Sequence, residues 1–197
     1  MFQVPDLFVV EEMLGQLLFI LIVAEIQTIA GTGCHRPKRI DTQFDIGSTD
    51  GPWFVVRGLN NAYDCFNCHN ITFYPAHHDV FFSVEYYDVK VNESIKRVTV
   101  ESTVTQWNAS SPGILRFDSE SGNGTELEWR VLDQGEHYMY VYYCALVSGH
   151  DSYEGSLVYS RTTSLPNETI IRLKKIARTI GYDFNDYCQP INSHCQK

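Results

Sequence analysis

A side-chain carboxyl donates a proton near neutral pH only where burial or a neighbouring charge has raised its pKa. Among the apolar, strand-forming runs of this 197-residue chain stand Asp64, Glu85, Glu126 and Glu128. Asp64, Glu126 and Glu128 are the candidate catalytic acids, although carboxylates are more often solvated than pocketed. Cys65 and Cys68 form a C-x-x-C, a spacing open to zinc ligation or thiol exchange. Zinc needs a second ligand pair at short spacing; His69 follows, but His77 and His78 are adjacent rather than spaced as finger ligands, so no metal is expected. A redox pair opens a helix after a strand, whereas Asn70 to Tyr74 reads as a strand, so structural disulfides are favoured.

The elements that must position these groups follow from the totals and the punctuation. A chain of this length makes one well-cored domain with a short appendage, and 44% hydrophobic residues exclude disorder over most of it. A net charge of -9 without clustered Lys and Arg excludes a nucleic-acid partner. Leu17 to Ala24 is apolar and Ala30 to Gly33 is small, which reads as a signal-peptide core and cleavage region with translation starting at Met13. The alternative is an amphipathic helix. The run is too short to span a bilayer, so no stable membrane span is expected. Five sequons, Asn70, Asn92, Asn108, Asn123 and Asn167, exceed the one or two that ten Asn would give by chance and point to a glycosylated, secreted protein. Six cysteines suit the same oxidising route.

Strand-like runs fall at 52–58, 70–75, 80–91, 95–107, 113–118, 126–132, 137–146 and 155–162, separated by turn formers such as Ser111-Pro112-Gly113 and Asp133-Gln134-Gly135. Short connections make neighbours antiparallel, and eight such strands close most simply into an up-and-down barrel; a sandwich is the other architecture. Ile170, Leu173, Ile176, Ala177 and Ile180 recur at helical spacing, with Thr163 or Ser164 as the cap, Pro166 in the first turn and Gly181 at the stop. Arg172, Lys174, Lys175 and Arg178 form its solvent face. The chain thus divides into a signal-like segment (1–33), an extended lead-in (34–50), the barrel (51–163) and a C-terminal helix with a disulfide-tied tail (164–197).

Gly51-Pro52-Trp53 at the entry of the first strand resembles the Gly-x-Trp signature of lipocalins, and Arg161 is similar to the arginine that packs over that Trp and plugs the barrel. The match extends to the lipocalin domain of the violaxanthin de-epoxidase family from about 43 to 195. It runs through Phe44-Asp45-Ile46, Gly58-Leu59-Asn60, Asp64, Pro112-Gly113-Ile114-Leu115, Trp129, Tyr138 to Tyr143, Val158-Tyr159-Ser160-Arg161 and Cys195. The resemblance implies an all-β lipocalin-type barrel with one helix, reduction of epoxidised xanthophylls with ascorbate, and a thylakoid-lumen setting. It also implies that Tyr143 and Tyr159 line the pocket and that Cys68 pairs with Cys195. The family's catalytic carboxylate falls on Leu127, and Glu126 and Glu128 beside it project to the other face of the strand. The family's pH-linked histidines fall on Ile71 and Tyr74, and of its N-terminal cysteine-rich domain only Cys34 stands before the barrel. These departures favour a carrier over an enzyme, with ascorbate expected only if the chain is enzymatic and no other cofactor expected.

The expected pocket is lined by Tyr143, Tyr159 and Leu127, by Met139 and Val141 of the seventh strand, and by Phe82, Val84 and Tyr86 of the third. Its ligand is a small apolar molecule such as a carotenoid, retinoid or lipid, with Tyr143 orienting one polar end; a homodimer is left open. In an alternating barrel the loop after the first strand and the end of the seventh meet at the open mouth, which places Cys65 near Cys144 and leaves Cys34 for Cys188.

Overall fold

Runs of β-branched and aromatic residues pair with their sequence neighbours throughout the computed structural model, which describes residues 33–38, 43–77, 80–107, 110–119, 125–147, 150–193 and 195. The strands are β1 (Gly51–Gly58), β2 (Asn67–His77), β3 (Val80–Val91), β4 (Ser94–Gln106), β5 (Ile114–Ser119), β6 (Thr125–Gly135), β7 (Tyr138–Val147) and β8 (His150–Ser160). Each is antiparallel to the next and β8 returns to β1, so the sheet closes and no strand is an edge strand. The eighth strand begins earlier than its expected start at 155 because its polar first half pairs along β7.

Closure makes two cores. One fills the closed end of the barrel around Trp53, Phe73, Leu115, Met139 and Val141. The other lies outside the wall, where Leu173, Ile176 and Ala177 of the helix α1 (Asn167–Thr179) cover Tyr140, Tyr142 and Val158. β7 is therefore buried on both faces and shows no apolar-polar alternation. In β1, Val55 follows Trp53 into the inner core and Val56 follows Phe54 to the outer one, as alternation requires, and the register to β8 shifts between Val55 and Arg57.

Neither Thr163 nor Ser164 caps α1. The Ser164 carbonyl accepts the Thr162 hydroxyl at 2.7 Å, and the chain reaches the helix with Pro166 as its N-cap and no side-chain cap. Nor is Arg172 merely solvated. Its guanidinium donates to both oxygens of the buried Asp133 of β6 at 2.6 and 2.7 Å, pinning the helix to the wall. The Trp53 indole donates to the Thr49 carbonyl at 2.7 Å, and the Arg161 guanidinium lies 3.7 Å over its ring while donating to the carbonyls of Pro52 and Ser48. Trp53 and Arg161 close one end of the barrel, as the resemblance implies.

Cys68 bridges Cys195, as the resemblance implies, but the other two pairs differ from expectation: Cys34 bridges Cys144 and Cys65 bridges Cys188. The reason is parity. Met139, Val141, Tyr143 and Ala145 point into the barrel, so Cys144 points out, where the lead-in passes with Cys34. Cys65 instead meets the tail, which Gly58 and Cys188 join to β1 by paired backbone hydrogen bonds. Of the sequons, Asn92 and Asn167 are exposed, whereas Asn70 is half-buried within β2 and donates to the Cys68 carbonyl at 3.0 Å. Asn108, Asn123 and the signal-like segment up to Thr32 lie outside the described residues.

Peptide mapping under non-reducing conditions should return Cys34 with Cys144, Cys65 with Cys188 and Cys68 with Cys195. Arg161→Lys keeps the charge but loses the planar stack and the forked donation, and should lower unfolding stability in urea by about 1 to 2 kcal/mol.

Candidate functional site

Towards the end of the barrel opposite Trp53 lies a cavity of about 220 Å³. The turn after β1 delivers Asp64 to it. The Asp64 backbone donates to the Asn60 carbonyl at 2.7 Å, and only a glycine at 58 permits this approach, since a Cβ there would stand 2.4 Å from that of Asp64. One Asp64 oxygen accepts from the backbone N–H groups of Leu59 (3.1 Å), Asn60 (2.8 Å) and Ser156 (3.4 Å). The other accepts from the Tyr143 hydroxyl at 2.6 Å. Burial disfavours the carboxylate more than these donors and the nearby His69 favour it, and the Asp64 pKa is pushed up to about 6. Tyr143 leans across β8 over Gly155, where a Cβ would fall 2.4 Å from its oxygen. Burial, and then the Asp64 charge, raise its pKa, so it stays a phenol.

β2 and β3 supply the polar wall. His69 shares the inward parity of Ile71 and Phe73, just after a register shift between Asn67 and Asn70 with Cys68 at φ 55°, and its Nε2 meets the Glu85 carboxylate at 2.5 Å. Ser83 and Ser102 face each other across β3 and β4. Two stacked aromatic pairs frame the rim: Tyr63 with Tyr153 (centroids 4.2 Å apart) and Phe66 with Tyr87 (4.6 Å). Trp129, stacked on Tyr159 at 5.3 Å and against Phe117 at 4.2 Å, borders the packed core.

Leu127, Tyr143 and Tyr159 line the cavity, and so does Asp64. Met139 and Val141 point inward but belong to the packed core rather than the cavity wall. Phe82, Val84 and Tyr86 face outward, because the inner side of β3 carries Phe81, Ser83, Glu85 and Tyr87. A polar pocket wall reverses the usual sense of the alternation. Glu126 is exposed, and Glu128 lies outside the barrel, 2.9 Å from Arg130 and 3.5 Å from Arg36. The Tyr143 hydroxyl, expected to orient a ligand directly, is engaged by Asp64.

Sequence reasoning missed His69, Ser83, Tyr87 and Ser102 as pocket residues and named Glu85 only as one barrel carboxylate among four. A signal for most of them was present. The Asn92-Glu93 turn sets Val91 opposite Ser94, which puts Glu85 across from Val100 and Ser83 across from Ser102, on the buried parity of β4. No such signal places Asp64, whose position depends on the loop and its tether to the tail.

The model of the VDE lipocalin domain matches residues 22–192. The chain is 28% identical over 164 residues to violaxanthin de-epoxidase of Arabidopsis thaliana and 26% identical over 164 residues to that of Nicotiana tabacum, both chloroplastic. These matches take in 80% of this chain but 35% and 34% of the relatives, so it spans about a third of the curated relatives it matches. Among solved structures it is similar to lobster apocrustacyanin A1 (TM-score 0.59, 16% identity, 75% of this chain and 79% of that one). It is also similar to the cockroach allergen Per a 4 (TM-score 0.62, 16% identity, 81% and 96%). At such identity these structures bear on the fold alone, and they agree with the closed barrel. Among the described residues, no helix is long and apolar enough to cross a membrane. By the extent of the sequence match, the chain belongs to the family of the violaxanthin de-epoxidase lipocalin domain.

Proposed function

We propose that this protein binds and carries a small apolar ligand in the barrel cavity. The observation that carries this reading is the cavity itself, where aromatic walls surround a few convergent polar groups at Asp64, Tyr143 and His69. Its volume of about 220 Å³ is below the ~300 to 1,000 Å³ that encloses a whole drug-sized ligand. The fit is therefore to one end group of a longer molecule whose remainder leaves between the stacked rim pairs, as for a carotenoid or retinoid. Three disulfides and exposed sequons at Asn92 and Asn167 support an oxidising, secretory setting; the chloroplastic relatives support the thylakoid lumen as the alternative.

A second reading is favoured by one specific feature. Asp64 is a buried acid whose pKa near 6 lets it hold a proton in mildly acidic solution, beside a phenol and inside the cavity. That is the group needed to protonate an epoxide oxygen while ascorbate supplies two electrons and the oxygen leaves as water. Asp64 takes this role from the strand position occupied by Leu127.

Protein purified from a eukaryotic secretory host should release a coloured or solvent-extractable apolar ligand and gain gel mobility on deglycosylation. Leu127→Trp, which fills the cavity, should abolish the ligand while leaving the far-UV spectrum intact. Retention of the ligand in that variant would overturn the carrier reading. Turnover of an epoxy-xanthophyll with ascorbate, lost in Asp64→Asn, would instead establish the enzyme.

Asp64 also sets a pH dependence. Its folded pKa of about 6 exceeds the unfolded value of 3.8, so the native state binds the proton more tightly. Its contribution to stability is greatest below 3.8 and falls as pH rises through about 6, by up to about 3 kcal/mol. Urea unfolding between pH 4 and 7 should show this slope in the wild type, and Asp64→Asn should flatten it.

A further inference from the structure

The strands of the closed sheet differ in length, and β3 and β4 outrun their outer neighbours. β3 pairs with β4 from Val80 opposite Thr105 to Val91 opposite Ser94, whereas β2 reaches along β3 only as far as Asp88 and β5 accompanies β4 only from Gln106 to Ser102. The run Ser94 to Glu101 therefore has β3 on one side and, among the described residues, no strand on the other. β5 ends at Ser119 and β6 begins at Thr125, so the connection between them has too few residues to follow β4 to its tip. Ser94 to Arg97, Thr99 and Glu101 are exposed, Ile95 by 73%, and Val91 on the other side of the turn is exposed by 39%. Neither strand contains a proline or a glycine. Lys96 and Arg97 put charge on the run, but Arg97 is held by Asp88 at 2.9 Å, and Val98 to Val100 is β-branched throughout. A run of this kind is a template for a second strand, and proteins blunt such edges.

The turn at the tip is Val91-Asn92-Glu93-Ser94. Asn92 takes a left-handed φ of 55°, a conformation that asparagine tolerates, and the Ser94 hydroxyl donates to the Val91 carbonyl at 3.1 Å. The same two residues are the acceptor and the hydroxyl of the sequon Asn92-Glu93-Ser94, and both are exposed. We propose that Asn92 carries an N-linked glycan that keeps the projecting β3–β4 hairpin from pairing edge to edge with that of a second copy. This rests on the secretory setting proposed above and assigns one of its glycans a site and a task. Antiparallel pairing of two copies along 94–101 brings the tip of each level with Ser102 of the other, where β5 already occupies the edge. A bulky, hydrated glycan on Asn92 blocks that approach, whereas a bare turn leaves it open.

The test uses the full chain secreted from a eukaryotic host. Peptide mapping should find Asn92 occupied, and sedimentation should give a monomer. Asn92→Gly keeps the left-handed turn and loses the glycan, and at the same concentration its mass should rise to about twice the monomer's, the closed two-fold product of edge pairing. Ser94→Thr keeps the sequon and should stay monomeric. So should Asn167→Gln, which removes an exposed sequon on α1 instead. Enzymatic deglycosylation of the native wild type repeats the comparison without a substitution, and serves even if Asn92→Gly fails to fold. In the dimer, backbone amides between Ser94 and Glu101 should exchange with deuterium at least about tenfold more slowly than in the monomer. A deglycosylated protein that stays monomeric, or a dimer whose slowed amides lie elsewhere, overturns the proposal. An unmodified Asn92 beside an occupied Asn167 overturns it and leaves the secretory setting standing. Neither site occupied overturns both.

Discussion

Closure of β8 onto β1 leaves each strand residue one of two destinations, the inside of the barrel or its outer wall, and most of the structure follows from that binary choice. Because side chains alternate with period two, Tyr143 and Cys144 are neighbours in sequence and belong to different cores. Tyr143 reaches the cavity and Cys144 reaches the lead-in. The same parity places Val55 inside and Val56 outside in β1, and turns His69 inward with Ile71 and Phe73 in β2, next to the bridged Cys68.

The site itself depends on a loop that a barrel does not by itself hold still. Asp64 is carried on the connection between β1 and β2, and three constraints hold it over the cavity. Gly58 allows the turn to fold back against the strand, backbone donors from Leu59, Asn60 and Ser156 fix the carboxyl, and the bridges of Cys65 and Cys68 fasten the connection to the tail. The tail is thus more than a terminus. Through Gly58 and Cys188 it extends the hydrogen bonding of β1, so the cysteines act on the site through the geometry of the loop. The bridges place a carboxyl where solvent would not favour its charge, and burial outweighs four hydrogen-bond donors to leave it a weak acid.

Polarity inside the barrel is distributed rather than uniform. The closed end, under Trp53 and Arg161, is a packed apolar core. The cavity wall carries Asp64, His69, Ser83, Glu85 and Ser102 among aromatic rings. An all-apolar interior would have been filled by its own side chains, as small eight-stranded barrels commonly are. Here polar and aromatic groups that cannot interdigitate tightly leave room for a guest.

From the residues alone, the eight strands, their antiparallel order, the Trp53 and Arg161 plug and the apolar stripe of the helix were legible, because each rests on local periodicity, turn formers or a short motif. Leu127, Tyr143 and Tyr159 were legible as pocket residues through the family resemblance, with Asp64 visible only as one carboxylate among several. Tertiary structure decided which face of β3 is the inner one, since the polar Ser83 and Glu85 line a cavity that hydrophobicity assigns to Phe82, Val84 and Tyr86. It also decided the partners of Cys34, Cys65, Cys144 and Cys188 and the union of Asp64 with Tyr143, 79 residues apart in the chain. Those contacts are long-range. Local pattern determines which side chains alternate and where the chain turns, whereas the burial that raises an acid's pKa and the distance that joins two sulfurs exist only once the barrel has closed and the tail has joined the end of β1.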